Sequence, residues 1–232
     1  MIDEDINELN KQLKRVAISL KFTDYSLRSE RLSIVSPSDI GNRLSYFIDY
    51  LDYLSTNFNY EETILRKERN DLKNSVDNLL TLDMIRVDAE TKRFQHFQQI
   101  LYQSLLIAII SYIEDIIVSF CMEVDKAYRS PPKKGQGGVL YNAFYFLELN
   151  LFEGEKNPQH QYFLDIVNIR NDFVHNGGRL NKSKRLVKNK KYHLTIEGER
   201  ISLKKELLEN VLENASELFS NLFESLNQNE MK

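Results

Sequence analysis

The chain has 232 residues, a formal net charge of −3 and one cysteine, Cys121. This length allows one large or two small domains with a substantial core. The negative charge argues against a protein that coats nucleic acid with its whole surface, so any nucleic-acid site has to be a local patch. A lone cysteine excludes a disulfide framework, and no basic-then-apolar signal pattern begins the chain, so we expect a cytoplasmic protein.

Few glycines and prolines punctuate the chain, which predicts long, uninterrupted helices. The first predicted helix carries an a/d seam that packs on another helix of the same chain or between chains. The seam consists of Ile2, Ile6, Leu9, Leu13, Val16 and Leu20. Ser36-Pro37-Ser38 predicts the start of a second helix, the Thr56-Asn57-Phe58-Asn59 group predicts its end, and a charged third helix is expected over 60–81.

The stretch over 88–128 contains neither glycine nor proline, and its middle is apolar almost all round. Such a helix belongs at the centre of a bundle, and its interspersed polar residues favour a buried helix over a membrane span. Glu114 and Asp115 interrupt the apolar pattern. Ionised carboxylates in a core are costly unless paired, so these two face either the bundle surface or a cation.

The Pro/Gly-rich stretch over 130–138 is the clearest break in the chain. A phosphate-binding loop is rejected because no strand precedes it and the Walker spacing is missing. A hinge between two helices explains it more simply, and a short aromatic helix is expected over 139–151.

The next predicted helix is amphipathic and ends at Asn176-Gly177-Gly178, a strong helix stop. Its apolar residues recur at three- and four-residue intervals and should pack inward. They are Tyr162, Ile166, Ile169 and Phe173, whereas Asn168, Asp172 and His175 are expected on the opposite face. Asn171 and His175 share a face, and only the long side chain of Arg170 or a loosened last turn brings its guanidinium to the imidazole.

Arg170-Asn171-Asp172-Phe173-Val174-His175 reads as RN-x-x-x-H, which resembles the signature of the HEPN superfamily, an Arg and a His separated by four to six residues. The resemblance covers roughly 88–227 and is specific at the motif. It implies an all-helical domain that dimerises and brings two motifs together in a cleft. Many members are metal-independent ribonucleases of toxin-antitoxin, abortive-infection and CRISPR-associated systems, so an antitoxin or effector-system partner is implied as well.

HEPN-like domains often carry an acidic residue on the helix before the motif helix. By this resemblance Glu114 is a candidate that lies near Arg170 and orients it, and Asp172 is a second supporting candidate within the motif. The catalytic candidates are Arg170, Asn171 and His175. Arg170 would stabilise phosphate charge, His175 would transfer protons, and Asn171 would orient the ring or hold a phosphate oxygen.

Basic residues follow the glycine stop without any acid between residues 179 and 191. The candidates for contact with RNA phosphates are Arg179, Lys182, Lys184, Arg185 and Lys188. If they contact phosphates, binding should weaken steeply with salt. The alternative is a mobile surface loop kept soluble by its lysines.

The remaining chain predicts a β-hairpin over 191–203 that turns at Gly198, and a last amphipathic helix over 204–227. His193 is expected on the hairpin surface, and His96 and His160 on solvent faces of helices. The histidines lack metal-ligand spacing, so neither a metal nor another cofactor is predicted.

These patterns together predict an all-α helical bundle with a long central helix and a small β-hairpin near the C-terminus. We expect an HEPN-like domain over 86–232, preceded by a helical segment over 1–85 that extends the bundle or forms a small domain. The predicted function is metal-independent RNA cleavage by 2′-hydroxyl attack at the interface of a homodimer. The alternatives are a non-catalytic module that binds nucleotide, RNA or protein, and a coiled-coil adaptor.

Overall fold

The computed structural model of the chain describes residues 36–74, 80–128 and 138–230. These residues form five α-helices and one two-stranded antiparallel hairpin. The helices are α1 (Pro37–Asn74), α2 (Leu80–Val124), α3 (Gly138–Asn150), α4 (His160–Asn176) and α5 (Lys205–Glu230), and the strands are β1 (Leu194–Glu197) and β2 (Arg200–Leu203). The predicted all-α bundle with a long central helix and a C-terminal hairpin is therefore confirmed.

Helix α2 is the central element and contacts α1, α3, α4, α5 and β2. Ile109, Ile110 and Ile113 on it have no exposed surface. By length and composition alone the stretch Leu82–Val124 could cross a membrane, a test that the core helix of a soluble bundle also passes. Its apolar residues pack against the other helices of the bundle, as expected for a helix at the centre.

Helix α1 begins at Pro37, as predicted, but it runs to Asn74, so the predicted break near residue 57 is wrong. Phe58 is buried there, and its ring lies edge-on to the rings of Phe94 and Tyr102 of α2, with 5.6 Å between ring centroids in each pair. Asn57 turns its amide back to the carbonyl of Tyr53 instead of ending the helix. Packing on the central helix outweighs the local preference of asparagine for turns.

The core joins α1 to the rest of the described chain, because Ile40, Leu44 and Leu51 belong to the same buried cluster as residues of α2 to α5. The boundary expected between residues 85 and 86 falls inside α2. The a/d seam over 2–20 lies outside the described residues, and so does the hinge except for Gly138.

Helix α4 buries the predicted face, with Tyr162, Ile166, Ile169 and Phe173 in the core. It ends as predicted at Gly177, which takes the left-handed conformation (φ 59°) and donates its N–H to the carbonyl of Asp172. Gly178 follows at φ 79°, close enough to the ring of Phe173 that an added Cβ would lie 3.2 Å from it. The chain then passes along β2, where Ile201 donates its N–H to the carbonyl of Gly178.

The hairpin turns at Gly198 (φ 64°), as predicted, with Ile196 opposite Ile201. Gln99 of α2 attaches it to the bundle, because its side chain donates to the carbonyl of Leu203 at 2.9 Å and accepts from the Leu203 N–H at 2.7 Å. The position of β2 against α2 is thereby set.

Cys121 is buried where α2 meets α3, with its sulfur 3.6 Å from the carbonyl oxygen of Ala143. Burial raises the pKa of its thiol to about 12. It acts as a small core residue, as expected for this apolar context.

Candidate functional site

The motif arginine is held by an acid on the central helix. Arg170 donates from Nη2 to Oε1 of Glu114 at 2.7 Å, and both side chains are about one-fifth exposed, at 18% and 21%. The predicted proximity of Glu114 to Arg170 is confirmed. Nε of Arg170 is buried without a hydrogen-bond partner, so the pair leaves donor capacity on the guanidinium.

The motif histidine lies on the last turn of α4 and is exposed. Asn171, one turn earlier, is half-buried. In the described part of the chain neither side chain has a hydrogen bond, and none joins Arg170 to His175. Within the described residues of one copy, Arg170 is therefore fixed by Glu114, while His175 has no hydrogen-bond partner to orient it.

The position of Asp172 differs from the prediction. It was expected on the solvent-facing side of α4, but it is fully buried. Its carboxylate accepts backbone N–H bonds from Asn181, Lys182 and Ser183 at 2.9–3.1 Å, and the Ser183 hydroxyl at 2.6 Å. The loop after the glycines folds back over α4 and covers the face that the sequence pattern assigned to solvent. Asp172 thus holds the loop against the helix.

Burial alone would raise the pKa of Asp172, but the hydrogen bonds from Ser183, Asn181 and Lys182 outweigh it and lower the pKa below its ordinary value. The carboxylate is therefore ionised at neutral pH although no cation of the described segments forms an ion pair with it. Backbone and hydroxyl donors supply the compensation.

The basic loop is fixed at a second carboxylate of α4. Asp165 accepts a hydrogen bond from the Tyr192 hydroxyl at 2.6 Å and one from Arg185 at 3.1 Å. Lys191 lies 4.7 Å from the centre of the Tyr162 ring. With both ends of the loop attached to α4, its backbone is a platform from which the exposed side chains of Arg179, Lys182, Lys184 and Lys188 project. Arg185 is also exposed, but its guanidinium is paired with Asp165.

A groove of about 340 Å³ lies between α2 and the glycines that end α4. Lys92, His96 and Arg200 line it together with Gly177 and Gly178, and no carboxylate is among its lining residues. The sequence does not indicate this grouping, since α2 and β2 are brought together only by the fold. His96 is exposed, as predicted, and the surface on which it lies is this groove.

Arg200, which lines the groove, pairs through its backbone with a second arginine. Arg179 and Arg200 face each other in an isolated antiparallel bridge, and Arg200 is in register with Glu197 on its other side. Like charges directly opposite one another destabilise a β pair. The fold tolerates this cost at Arg179, two residues beyond Gly177. Because a bound anion would offset the repulsion between the two arginines, the position is suited to an anion.

His160 is a second correction, since it was expected on a solvent face. Its ring is mostly buried and Nδ1 lies 2.6 Å from Oε1 of Glu148. The pair lies at the N-terminal end of α4, far along the helix from the motif. Among the described residues there is no cluster of three His, Cys, Asp or Glu side chains that could hold a metal ion.

No family model, curated protein or solved structure matches the chain. The likeness to HEPN domains therefore stands on the motif residues and on their setting at the end of α4.

Proposed function

We propose that this protein is a metal-independent endoribonuclease of the HEPN type that works as a homodimer. The observation that carries the proposal is the Glu114–Arg170 pair, which holds the motif guanidinium at 2.7 Å from a carboxylate on the central helix. An arginine side chain that is only 18% exposed is costly to leave unpaired, so the pair also stabilises the packing of α4 against α2. Held by Glu114 on the helix that also carries the exposed His175, the guanidinium suits a phosphate.

The reaction requires a base, an acid and a cation. The ribose 2′-hydroxyl attacks the adjacent phosphate as a base removes its proton, the 5′-oxygen leaves as an acid protonates it, and the products are a 2′,3′-cyclic phosphate and a 5′-hydroxyl. His175 supplies proton transfer, Arg170 stabilises the charge that builds on the phosphate, and Asn171 holds a phosphate oxygen or the ring. DNA lacks the 2′-hydroxyl and should resist.

The basic platform and the groove supply the substrate surface. RNA phosphates would contact the exposed cations of the loop and continue towards Lys92 and Arg200 beside the glycines. Such contacts release counterions, so affinity should fall steeply as salt rises.

A second copy completes the site in this proposal. A single Arg170–His175 pair provides few catalytic groups, and His175 has no hydrogen-bond partner among the described residues. Two-fold symmetry would bring a second Arg170–His175 pair to the site. Val174, directly before the motif histidine, is 48% exposed, and Ile100 in the groove is 44% exposed. Apolar surface beside the motif favours a symmetric contact there. By its likeness to toxin and antiviral-defence proteins, the dimer would act in the cytoplasm and answer to an antitoxin or effector partner.

The test is cleavage of a single-stranded RNA by purified protein in EDTA. We expect Arg170→Ala and His175→Ala each to lose at least about a hundredfold in rate, since each removes a group used in the transition state. Helicity and oligomeric mass should be unchanged. Arg43→Ala, an exposed arginine on α1, is the matched control and should cleave normally.

The second candidate is a non-catalytic RNA-binding module, and one observation favours it: in the described chain no hydrogen bond orients His175. RNA that stays intact under every condition, with gel-shift binding retained in wild type and weakened by loop substitutions, would establish this alternative and reject the nuclease.

A further inference from the structure

A second cavity, of about 660 Å³, lies between α3 and the start of α4. One wall is a stripe at four-residue steps on α3, formed by Tyr141, Tyr145 and Leu149, each 41% to 56% exposed. Its polar lining includes Glu148, Asn157 and His160. Its size and its mixture of apolar walls with a few polar groups are those of a small-molecule site.

The imidazole in this cavity has a defined orientation. Glu148 is buried and accepts from Nδ1 of His160 at 2.6 Å, and the ring stacks on Phe144 at 4.6 Å between centroids. Because a carboxylate can only accept, the proton of a neutral ring lies on Nδ1. Nε2 is then a hydrogen-bond acceptor.

Two polar atoms of the cavity residues are buried without partners, Nε2 of His160 and Nδ2 of Asn157. Asn157 is only 4% exposed, and its Oδ1 already accepts the N–H of Gln159 at 2.9 Å, which leaves the amide NH₂ as the unpaired group. Buried polar atoms without hydrogen bonds are rare because they are costly, and each needs an explanation. Both residues line the same cavity, where the Asn157 amide is an unpaired donor among the described residues and Nε2 of a neutral His160 ring is an unpaired acceptor.

We propose that this cavity binds a nucleobase. The edge of a base carries both donors and acceptors, which can pair with Asn157 Nδ2 and with Nε2 of a neutral His160, and its face stacks on tyrosine. The buried carboxylate of Glu148 disfavours a phosphate in the same position. The claim that the base belongs to an RNA strand rests on the proposed function, whereas the claim that the cavity binds a base does not.

Neither of these two atoms reaches solvent, so a base that contacts them has to displace a neighbouring side chain. The Tyr141 ring lies 6.0 Å from the His160 ring and the residue is 41% exposed, so we infer that Tyr141 is the side chain that moves and that its ring stacks on the base. From His160 to His175, α4 is about 22 Å long at 1.5 Å per residue. A strand bound at both ends would thus span a few nucleotides, and the cavity would select the sequence that is cut.

The test is titration calorimetry with the four nucleoside monophosphates and with single-stranded RNA oligomers of uniform sequence. Asn157→Asp keeps the acceptor that caps Gln159, removes the donor and adds a negative charge near Glu148, and we expect it to weaken binding of the preferred base at least about tenfold. Tyr141→Ala should weaken it several-fold. Tyr46→Ala, an exposed tyrosine on α1, is the control and should bind normally.

The comparison of nucleotides with RNA oligomers distinguishes a free nucleotide from a base that belongs to an RNA strand. Parallel losses for nucleotide and oligomer would support an RNA base, and a loss for the nucleotide alone would identify a free nucleotide as the ligand. Absence of nucleotide binding at millimolar concentration, or unchanged binding by Asn157→Asp with an unchanged melting temperature, overturns the proposal. His175→Ala should bind the base as wild type does, so failure of the nuclease proposal is seen separately.

Discussion

Glu114 and Arg170, 56 residues apart in the chain, are joined by a 2.7 Å hydrogen bond between the central helix and the motif helix. The bond fixes Nη2 of the guanidinium, whereas Nε has no hydrogen-bond partner among the described residues. In the nuclease that we propose, this arginine would be positioned before substrate binds, which is a requirement for electrostatic stabilisation of a transition state.

Replacing Glu114 by Gln should lower the cleavage rate by about tenfold to a hundredfold while RNA affinity changes less than about threefold, because Arg170 stays charged but is no longer held in one orientation. Both side chains are partly exposed, so the stability loss should be about 1–2 kcal/mol. The measurements are single-turnover cleavage and urea unfolding. Glu61→Gln, exposed on α1, is the control, and an equal loss of affinity and rate would show that Glu114 does not position Arg170.

Asp172 should make the loop sensitive to acid. Its folded-state pKa is lowered, so the stability that it contributes is present above its unfolded value, about 3.9, and is lost as pH falls through the folded value. Asp172→Asn should therefore destabilise the protein at pH 7 by about 2–4 kcal/mol, and this difference should shrink below about pH 4.

Unfolding at several pH values, together with hydrogen exchange, measures this effect. The amides of Asn181, Lys182 and Ser183 lie in a loop but bond to a buried carboxylate, so they should exchange slowly in wild type and fast in Asp172→Asn. Asp71→Asn, exposed on α1, is the control. A destabilisation that stays constant from pH 7 to pH 3 would contradict the assignment.

Removing the paired arginines should weaken RNA binding while it stabilises the hairpin. Substituting Arg179 and Arg200 by Gln deletes two phosphate contacts, so the slope of log K against log salt should fall by about 2. Relief of the like-charge pair should raise stability by about 0.2–1 kcal/mol. Filter binding at several salt concentrations and thermal unfolding test this prediction. Lys67→Gln on α1 should leave the salt slope unaltered, and an unaltered slope in the double variant would remove this groove from the RNA path.

Two inactive variants should rescue each other if one site uses side chains from both copies. A mixture of Arg170→Ala and His175→Ala protein contains heterodimers in which one site retains a complete Arg–His set drawn from two chains. We expect up to about half of wild-type activity per heterodimer after subunit exchange. Each variant alone is the control. No recovery despite exchange, verified by mass on tagged subunits, would show that each motif acts within its own chain.

Local patterns predicted the elements that carry the site. The spacing of Tyr162, Ile166, Ile169 and Phe173 gave the buried face of α4 correctly, and the glycines gave its end. These features depend on side chains within a few turns of one another. A periodic pattern records them because one face of the helix is buried along its whole length.

The errors arose where distant segments meet. Asp172 lies on a polar face, and only the return of residues 181–183 buries it. The continuation of α1 through Phe58 depends on rings from α2, and the groove joins Lys92 to Arg200 across the fold. His160 and Glu148 meet because the turn between α3 and α4 reverses the chain. No local spacing encodes such contacts.

The single cysteine has a practical consequence. Its thiol is enclosed between α2 and α3 and has a pKa of about 12, so maleimide reagents near neutral pH should leave it unmodified. A cysteine introduced at the exposed position of Val174 or Lys182 can then carry the sole fluorophore or spin label. Distances between labels on two associated molecules would reveal how their motif helices are arranged, without any change to the native core.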